Sequence, residues 1–158
     1  MSSTVAIALG ANLGDRSYTL RRAIHELRTI VHIVRVSTFV ETEPVDAPSG
    51  SPRFLNAVVL GYTSLSPREL LGAMQLIESK LGRRRTRVRN APRAIDLDLI
   101  FHSANRARTR ELTLPHPRYR EREFVMGPLR EVYRVATPPP SSTCGCACAT
   151  VTAWVRRG

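Results

Sequence analysis

Two apolar stripes with helical spacing, each framed by strand-forming runs, restrict this chain to few architectures. Leu20, Ala23, Ile24, Leu27 and Ile30 recur at three- and four-residue intervals behind Asp15, a good N-cap. Leu70, Leu71, Met74, Ile77 and Leu81 do the same behind Ser66-Pro67-Arg68-Glu69, which carries the serine, first-turn proline and glutamate of a capping box. Gly82 ends that run. Around the stripes, Val5–Leu9, His32–Val40, Phe54–Tyr62 and Ile95–His102 have the β-branched and large apolar content of strands. The predicted order is β-α-β-β-α-β, a ferredoxin-like α+β sandwich: an antiparallel sheet with helices packed on one face. A third amphipathic segment spans roughly 121–132, with Phe124, Val125, Leu129 and Val132.

The 158 residues suffice for one domain with a short tail. Residues 1–136 read as that domain. From Thr137 the composition breaks into a proline run followed by Cys144, Cys146 and Cys148, and residues 137–158 read as an atypical tail, linker or disordered chain. Three clustered cysteines cannot staple a chain and lack zinc spacing, so a reducing, cytoplasmic setting is expected. No apolar run approaches the ~20 residues that span a bilayer. The N-terminus has no basic region of a secretion signal, and its apolar stretch reads as a strand. The charge is lopsided: 24 basic against 13 acidic side chains give +11, and Lys80 is the only lysine. That excess suits a phosphate-rich small molecule, a nucleic acid or an anionic membrane without choosing among them.

The chemistry concentrates in two adjacent segments. In Ile95-Asp96-Leu97-Asp98-Leu99-Ile100-Phe101, a strand period of two sends Asp96 and Asp98 to one face and Leu97, Leu99 and Phe101 to the other. Two close carboxylates repel, and a divalent cation relieves that repulsion; Mg²⁺ suits two carboxylates completed by phosphate oxygens. The plainer alternative is a solvated strand face, although aspartate is a poor strand former. Just before it stand Arg83, Arg84, Arg85, Arg87, Arg89 and Arg93. Guanidinium forks hold phosphate oxygens, so the loop could bind a polyphosphate beside a metal, or else be a solvated or nucleic-acid-binding face. Acidic ligands flanked by arginines fit metal-assisted phosphoryl transfer better, because carboxylates weaken nucleic-acid binding. His116 could donate to a phosphate or simply be exposed. Phe54 and Phe124 could stack on a planar ring or be core, and Asn56 shares the strand face of Phe54.

Together these residues resemble the 6-hydroxymethyl-7,8-dihydropterin pyrophosphokinase family of folate synthesis. The resemblance rests on Ala8-Leu9-Gly10-Ala11-Asn12-Leu13-Gly14 and on Phe54-Leu55-Asn56-Ala57. Its most specific part runs from Glu78 and Gly82-Arg83-x-Arg85 through Arg89-Asn90-Ala91-Pro92-Arg93-x-Ile95-Asp96-Leu97-Asp98. It continues through Leu114-Pro115-His116-Pro117 and Arg122-x-Phe124, covering about residues 4 to 133. It implies diphosphoryl transfer from ATP to the hydroxymethyl of a reduced pterin, with AMP released. It also implies that Asp96 and Asp98 hold two Mg²⁺ and that Arg83 and Arg93 neutralise the transferring group. Glu78, Arg85, Arg89, Thr113, His116 and Arg122 would then bind ATP. Phe54 and Phe124 would sandwich the pterin while Thr42, the Val45 backbone and Asn56 read its edge.

The chain departs from the family where Asn90 and Ala91 stand, often an aromatic residue and a glycine, and in its tail. The expected partners are the two small-molecule substrates, with no nucleic acid or membrane, and the expected state is a monomer. Two rivals remain: a basic ferredoxin-like nucleic-acid-binding module, and a metal-dependent nucleotidyltransferase using the same aspartates.

Overall fold

A computed structural model of the chain describes residues 2–44, 49–83, 93–103, 109 and 111–136. The elements are β1 (Ser3–Ala11), α1 (Arg16–Leu27), β2 (His32–Val36), β3 (Val40–Thr42), β4 (Phe54–Thr63), α2 (Pro67–Lys80), β5 (Asp96–His102) and α3 (Glu123–Ala136), with a 3₁₀ turn at Tyr119–Glu121 before α3. The sheet order is β2-β4-β1-β5, all antiparallel, with β3 also pairing with β4. No helix among the described residues is long and apolar enough to cross a membrane. The predicted tail, 137–158, lies outside the described residues.

Local chemistry sets both predicted helices. Asp15 accepts the Tyr18 N–H at 2.9 Å. Ser66 and Glu69 close the capping box, with the Ser66 N–H donating to Glu69 Oε2 at 2.8 Å and the Glu69 N–H to Ser66 Oγ at 3.4 Å. Gly82 takes φ +89°, the left-handed turn that stops α2 at low steric cost.

The expected strand His32–Val40 is two strands laid end to end against β4. The Ser37 hydroxyl accepts the Val58 N–H at 2.9 Å while the Ser37 N–H donates to Val58 O at 2.9 Å, so a side chain substitutes for the ladder and β2 stops there. Gly61 permits the pairing with β2, since a Cβ on it would stand 2.5 Å from the His32 carbonyl oxygen.

Helices cover both faces of the sheet rather than one. Val5, Ile7, Leu9, Val59, Leu97 and Leu99 pack against the buried faces of α1 and α2. On the opposite face Ala6, Val58, Leu60 and Ile100 pack against Tyr119, Val125, Met126, Leu129 and Val132 from the 3₁₀ turn and α3. The second face is apolar too, and therefore needs a second cover. Phe101 also joins this α3 side, contrary to simple alternation. Ile7 pairs with Leu99 but Ala6 with Phe101, so Ile100 is the extra residue of a bulge that reverses the faces beyond it.

Candidate active site

The acid pair lies where β5 crosses two small residues. Asp96 sits opposite Gly10 and Asp98 opposite Ala8 on β1, and β1 pairs these with Asn56 and Val58 on β4. Small side chains under the carboxylates leave the sheet surface hollow, beside the start of α3. A cavity of about 390 Å³ opens there, lined among others by Gly10, Thr42, Phe54, Asn56, Arg93, Asp96, Asp98, Arg122 and Phe124. Glycine at position 10 keeps this floor clear, since a Cβ on it would press on Asn56 Oδ1 at 3.2 Å.

Of the arginines preceding the strand, Arg83 and Arg93 lie among the described residues and both meet the pair. Arg83 Nη1 donates to Asp96 Oδ1 at 2.8 Å and Arg93 Nη1 to Asp96 Oδ2 at 3.1 Å, so both oxygens of Asp96 meet a guanidinium. Arg122 Nη1 stands 3.5 Å from Asp98 Oδ2 and its guanidinium 5.7 Å from the Phe124 ring centroid. Burial, and then the Asp96 charge, push the Asp98 carboxyl up to about 6 against the pull of Arg122. Charge on Asp98 is thus disfavoured in the ligand-free site, and a cation beside it would relieve that cost. No group of three or more His, Cys, Asp or Glu residues gathers for a metal among the described residues. The donor set fits Mg²⁺ that takes two carboxylates and completes its shell with phosphate and water oxygens.

The expected pterin-side residues converge on the same cavity. Thr42 on β3 pairs with Phe54 on β4, and Val40 with Asn56. The buried Asn56 donates its amide N–H to Thr42 Oγ1 at 2.8 Å. Phe54 and Phe124 are half-buried on two sides of the hollow, one from the sheet and one from the first turn of α3.

The expected nucleotide-side residues divide. His116 donates its backbone N–H to Ile100 O at 3.0 Å, and its Nδ1 accepts the Arg118 N–H at 3.3 Å. Burial, helped by Arg122 and Arg118, pushes the His116 imidazole down and favours the neutral ring. With Nδ1 accepting, that ring carries its proton on Nε2. Thr113 is half-buried outside the cavity lining. Glu78 is only 5% exposed; its carboxylate accepts the Leu97 N–H at 2.7 Å and pairs with Arg83. Burial pushes that carboxyl up against both contacts. Val45, Arg85 and Arg89 lie outside the described residues, as do Asn90 and Ala91.

Two supporting residues escaped the sequence reading. Asn12, 2% exposed, accepts the Arg93 N–H at 2.8 Å on Oδ1 and donates from Nδ2 to Pro52 O at 3.3 Å. It thereby ties Arg93 to the segment leading into β4. Arg16 at the start of α1 pairs with Glu41 at 2.6 Å and donates to Arg53 O at 2.8 Å, fastening β3 to the entry of β4. The one available signal was the Asn between two glycines after a strand; Arg16 gave none.

The family model described as 7,8-dihydro-6-hydroxymethylpterin-pyrophosphokinase matches residues 6–134. The chain is 43% identical over 134 residues to the 2-amino-4-hydroxy-6-hydroxymethyldihydropteridine pyrophosphokinase of Bacillus subtilis, covering 84% of this chain and 79% of that one. It is 42% identical over 133 residues to the mitochondrial folate synthesis bifunctional protein of Pisum sativum, covering 84% of this chain. It spans only about a quarter of such plant proteins, 25% and 26% of two of them. Among solved structures, a triple mutant of Plasmodium falciparum HPPK-DHPS with pteroate superposes at a TM-score of 0.64 and 12% identity, covering 99% of this chain and 44% of that one. At that identity the likeness concerns the fold.

Proposed function

Because the chain belongs to the 7,8-dihydro-6-hydroxymethylpterin-pyrophosphokinase family, we propose that it transfers a diphosphoryl group from ATP to the hydroxymethyl of 6-hydroxymethyl-7,8-dihydropterin in folate synthesis. The observation that carries this reading is that one cavity is lined both by the acid pair with Arg93 and Arg122 and by the Thr42, Phe54, Asn56 and Phe124 set. The substrate hydroxyl oxygen attacks the β-phosphorus, the bond from that phosphorus to the α,β-bridging oxygen breaks, and AMP leaves. The hydroxyl proton passes to solvent in the same exchange. No covalent nucleophile is needed, so the protein's task is alignment and charge.

Asp96 and Asp98 would hold Mg²⁺, two ions on the family pattern, which supplies charge neutralisation on the phosphates when bound. Arg83 and Arg93 reach the acid pair and present positive charge where the transferring group collects negative charge. Arg122 stands between Asp98 and Phe124, at the junction of the phosphate and ring regions. His116 offers an Nε2–H donor to a nucleotide oxygen, and on the family pattern Thr113, Arg85 and Arg89 would also contact the nucleotide. Phe54 and Phe124 take the two faces of the pterin; Asn56, Thr42 and the Val45 backbone read its edge. We place this activity in a cytoplasmic monomer.

Helix α3 covers much of the sheet face that a ferredoxin-like nucleic-acid module leaves open for stacked bases, which favours the small-molecule reading. The test is incubation with Mg·ATP and the reduced pterin alcohol. AMP and pterin diphosphate in equal amounts are expected. Pyrophosphate release would indicate nucleotidyl transfer instead, and neither product would refute the assignment.

A further inference from the structure

We propose that Glu78 is a positioning residue: a buried carboxylate on α2 that caps the free edge of β5 between the two aspartates and holds Arg83 against Asp96. The proposal rests on the pyrophosphokinase reading of the site and assigns Glu78 work other than contact with ATP.

β5 ends the strand order β2-β4-β1-β5, so one of its sides has no strand neighbour among the described residues. Backbone N–H groups on that side need acceptors from elsewhere. At Leu97, the residue between Asp96 and Asp98, the acceptor is Glu78 Oε1 at 2.7 Å. The same oxygen accepts from Arg83 Nη1, and that nitrogen also reaches Asp96 Oδ1 at 2.8 Å. The Arg83 backbone N–H donates to Glu78 O at 2.9 Å, so both ends of Arg83 are tied to this one residue. Glu78 does not line the cavity, and its carboxylate is turned to the strand edge. One side chain thus holds the backbone between the two aspartates and the aim of the arginine beside them. A carboxylate serves better than a neutral group, because its charge opposes the withdrawal of Arg83 into solvent.

Two variants separate these jobs. Glu78→Gln keeps an acceptor for Leu97 and loses the charge facing Arg83; Glu78→Met fills the space and loses both. For Glu78→Gln, kcat for AMP formation should fall by about 10–100-fold, as for groups that orient ligands from behind. KM for ATP and for the pterin should stay near wild type. On an Arg83→Gln background the same substitution should cost almost nothing further, because it acts through Arg83. Full, additive loss on that background would overturn the proposal, and so would a raised KM for ATP at unchanged kcat, which would mark Glu78 as a nucleotide contact.

Amide exchange read by NMR without substrate tests the strand cap. The Leu97 N–H should stay protected in Glu78→Gln and exchange faster in Glu78→Met, and equal protection in both would overturn the capping role. Should Glu78→Met fail to fold, Leu97 losing protection in Glu78→Gln would overturn it instead. Absence of AMP formation by the wild-type chain would refute the activity, while the exchange result would still decide the role of Glu78.

Discussion

Replacing Asp98 by asparagine should destroy the activity and stabilise the ligand-free chain at alkaline pH. The carboxyl is pushed from its ordinary 3.8 to about 6, by burial first and by Asp96 second. A group with a raised folded pKa contributes stability that is complete below its unfolded pKa and is lost as pH rises through the folded one. At pH 8 the ligand-free fold therefore bears the cost of a charged Asp98, and at pH 4 it does not. Fully transmitted, that displacement would be roughly 3 kcal/mol at 1.36 kcal/mol per pH unit. The side chain is 36% exposed, however, so solvent screens it. About 1 kcal/mol is the discounted figure. For a domain of this size that corresponds to a melting-temperature gain of roughly 2–6 °C. The assay is thermal melting of wild type and Asp98→Asn without metal or nucleotide, at pH 8 and pH 4, beside AMP formation. The gain should appear at pH 8 and shrink at pH 4. A variant that melts below wild type at pH 8, or gains equally at both, would refute the electrostatic account, and near-normal turnover would refute the metal assignment.

Asn56→Ala should weaken pterin binding by about 1–3 kcal/mol, the cost of a lost buried polar contact, with nucleotide affinity nearly intact; calorimetry with each ligand checks this, and equal losses would make Asn56 structural. Arg93→Ala should lower kcat more than it raises the Kd for ATP, since its guanidinium faces Asp96 at 3.1 Å; steady-state kinetics beside nucleotide titration separates the two. Gly61→Ala should lower the melting point, because its Cβ would press on the His32 carbonyl oxygen at 2.5 Å, an overpacking cost of about 1–3 kcal/mol.

The parts of this fold that sequence foretold are those set by neighbours in the chain. The capping box at Ser66 is complete within four residues, and the alternation that aims Asp96 and Asp98 together needs only three. What sequence withheld depends on distant partners. Nothing in His32–Val40 announces that the Ser37 hydroxyl will take a ladder position opposite Val58. Nothing in the amphipathic stripe of α3 says which sheet face it will cover; the stripe demands burial without naming the surface. Asn12 joins Arg93 across 81 positions, beyond any periodicity.

The placement of the acid pair on an edge strand follows from the same division. A central strand has neighbours on both sides, which use its backbone groups and crowd its flanks. On β5 one side pairs with β1, whose Gly10 and Ala8 keep the face above them hollow, while the other admits Glu78 and Arg83. Two carboxylates can then share one face with arginines arriving from beyond the sheet's edge. Thr42, Phe54 and Asn56 come from the next strands over, β3 and β4, and Phe124 from the first turn of α3, which covers Ala6, Val58 and Leu60 but leaves Gly10 open. The hollow exists because α3 begins where it does. Larger residues at Gly10 or Ala8 would therefore intrude on this hollow, because these two positions stand directly beside Asp96 and Asp98.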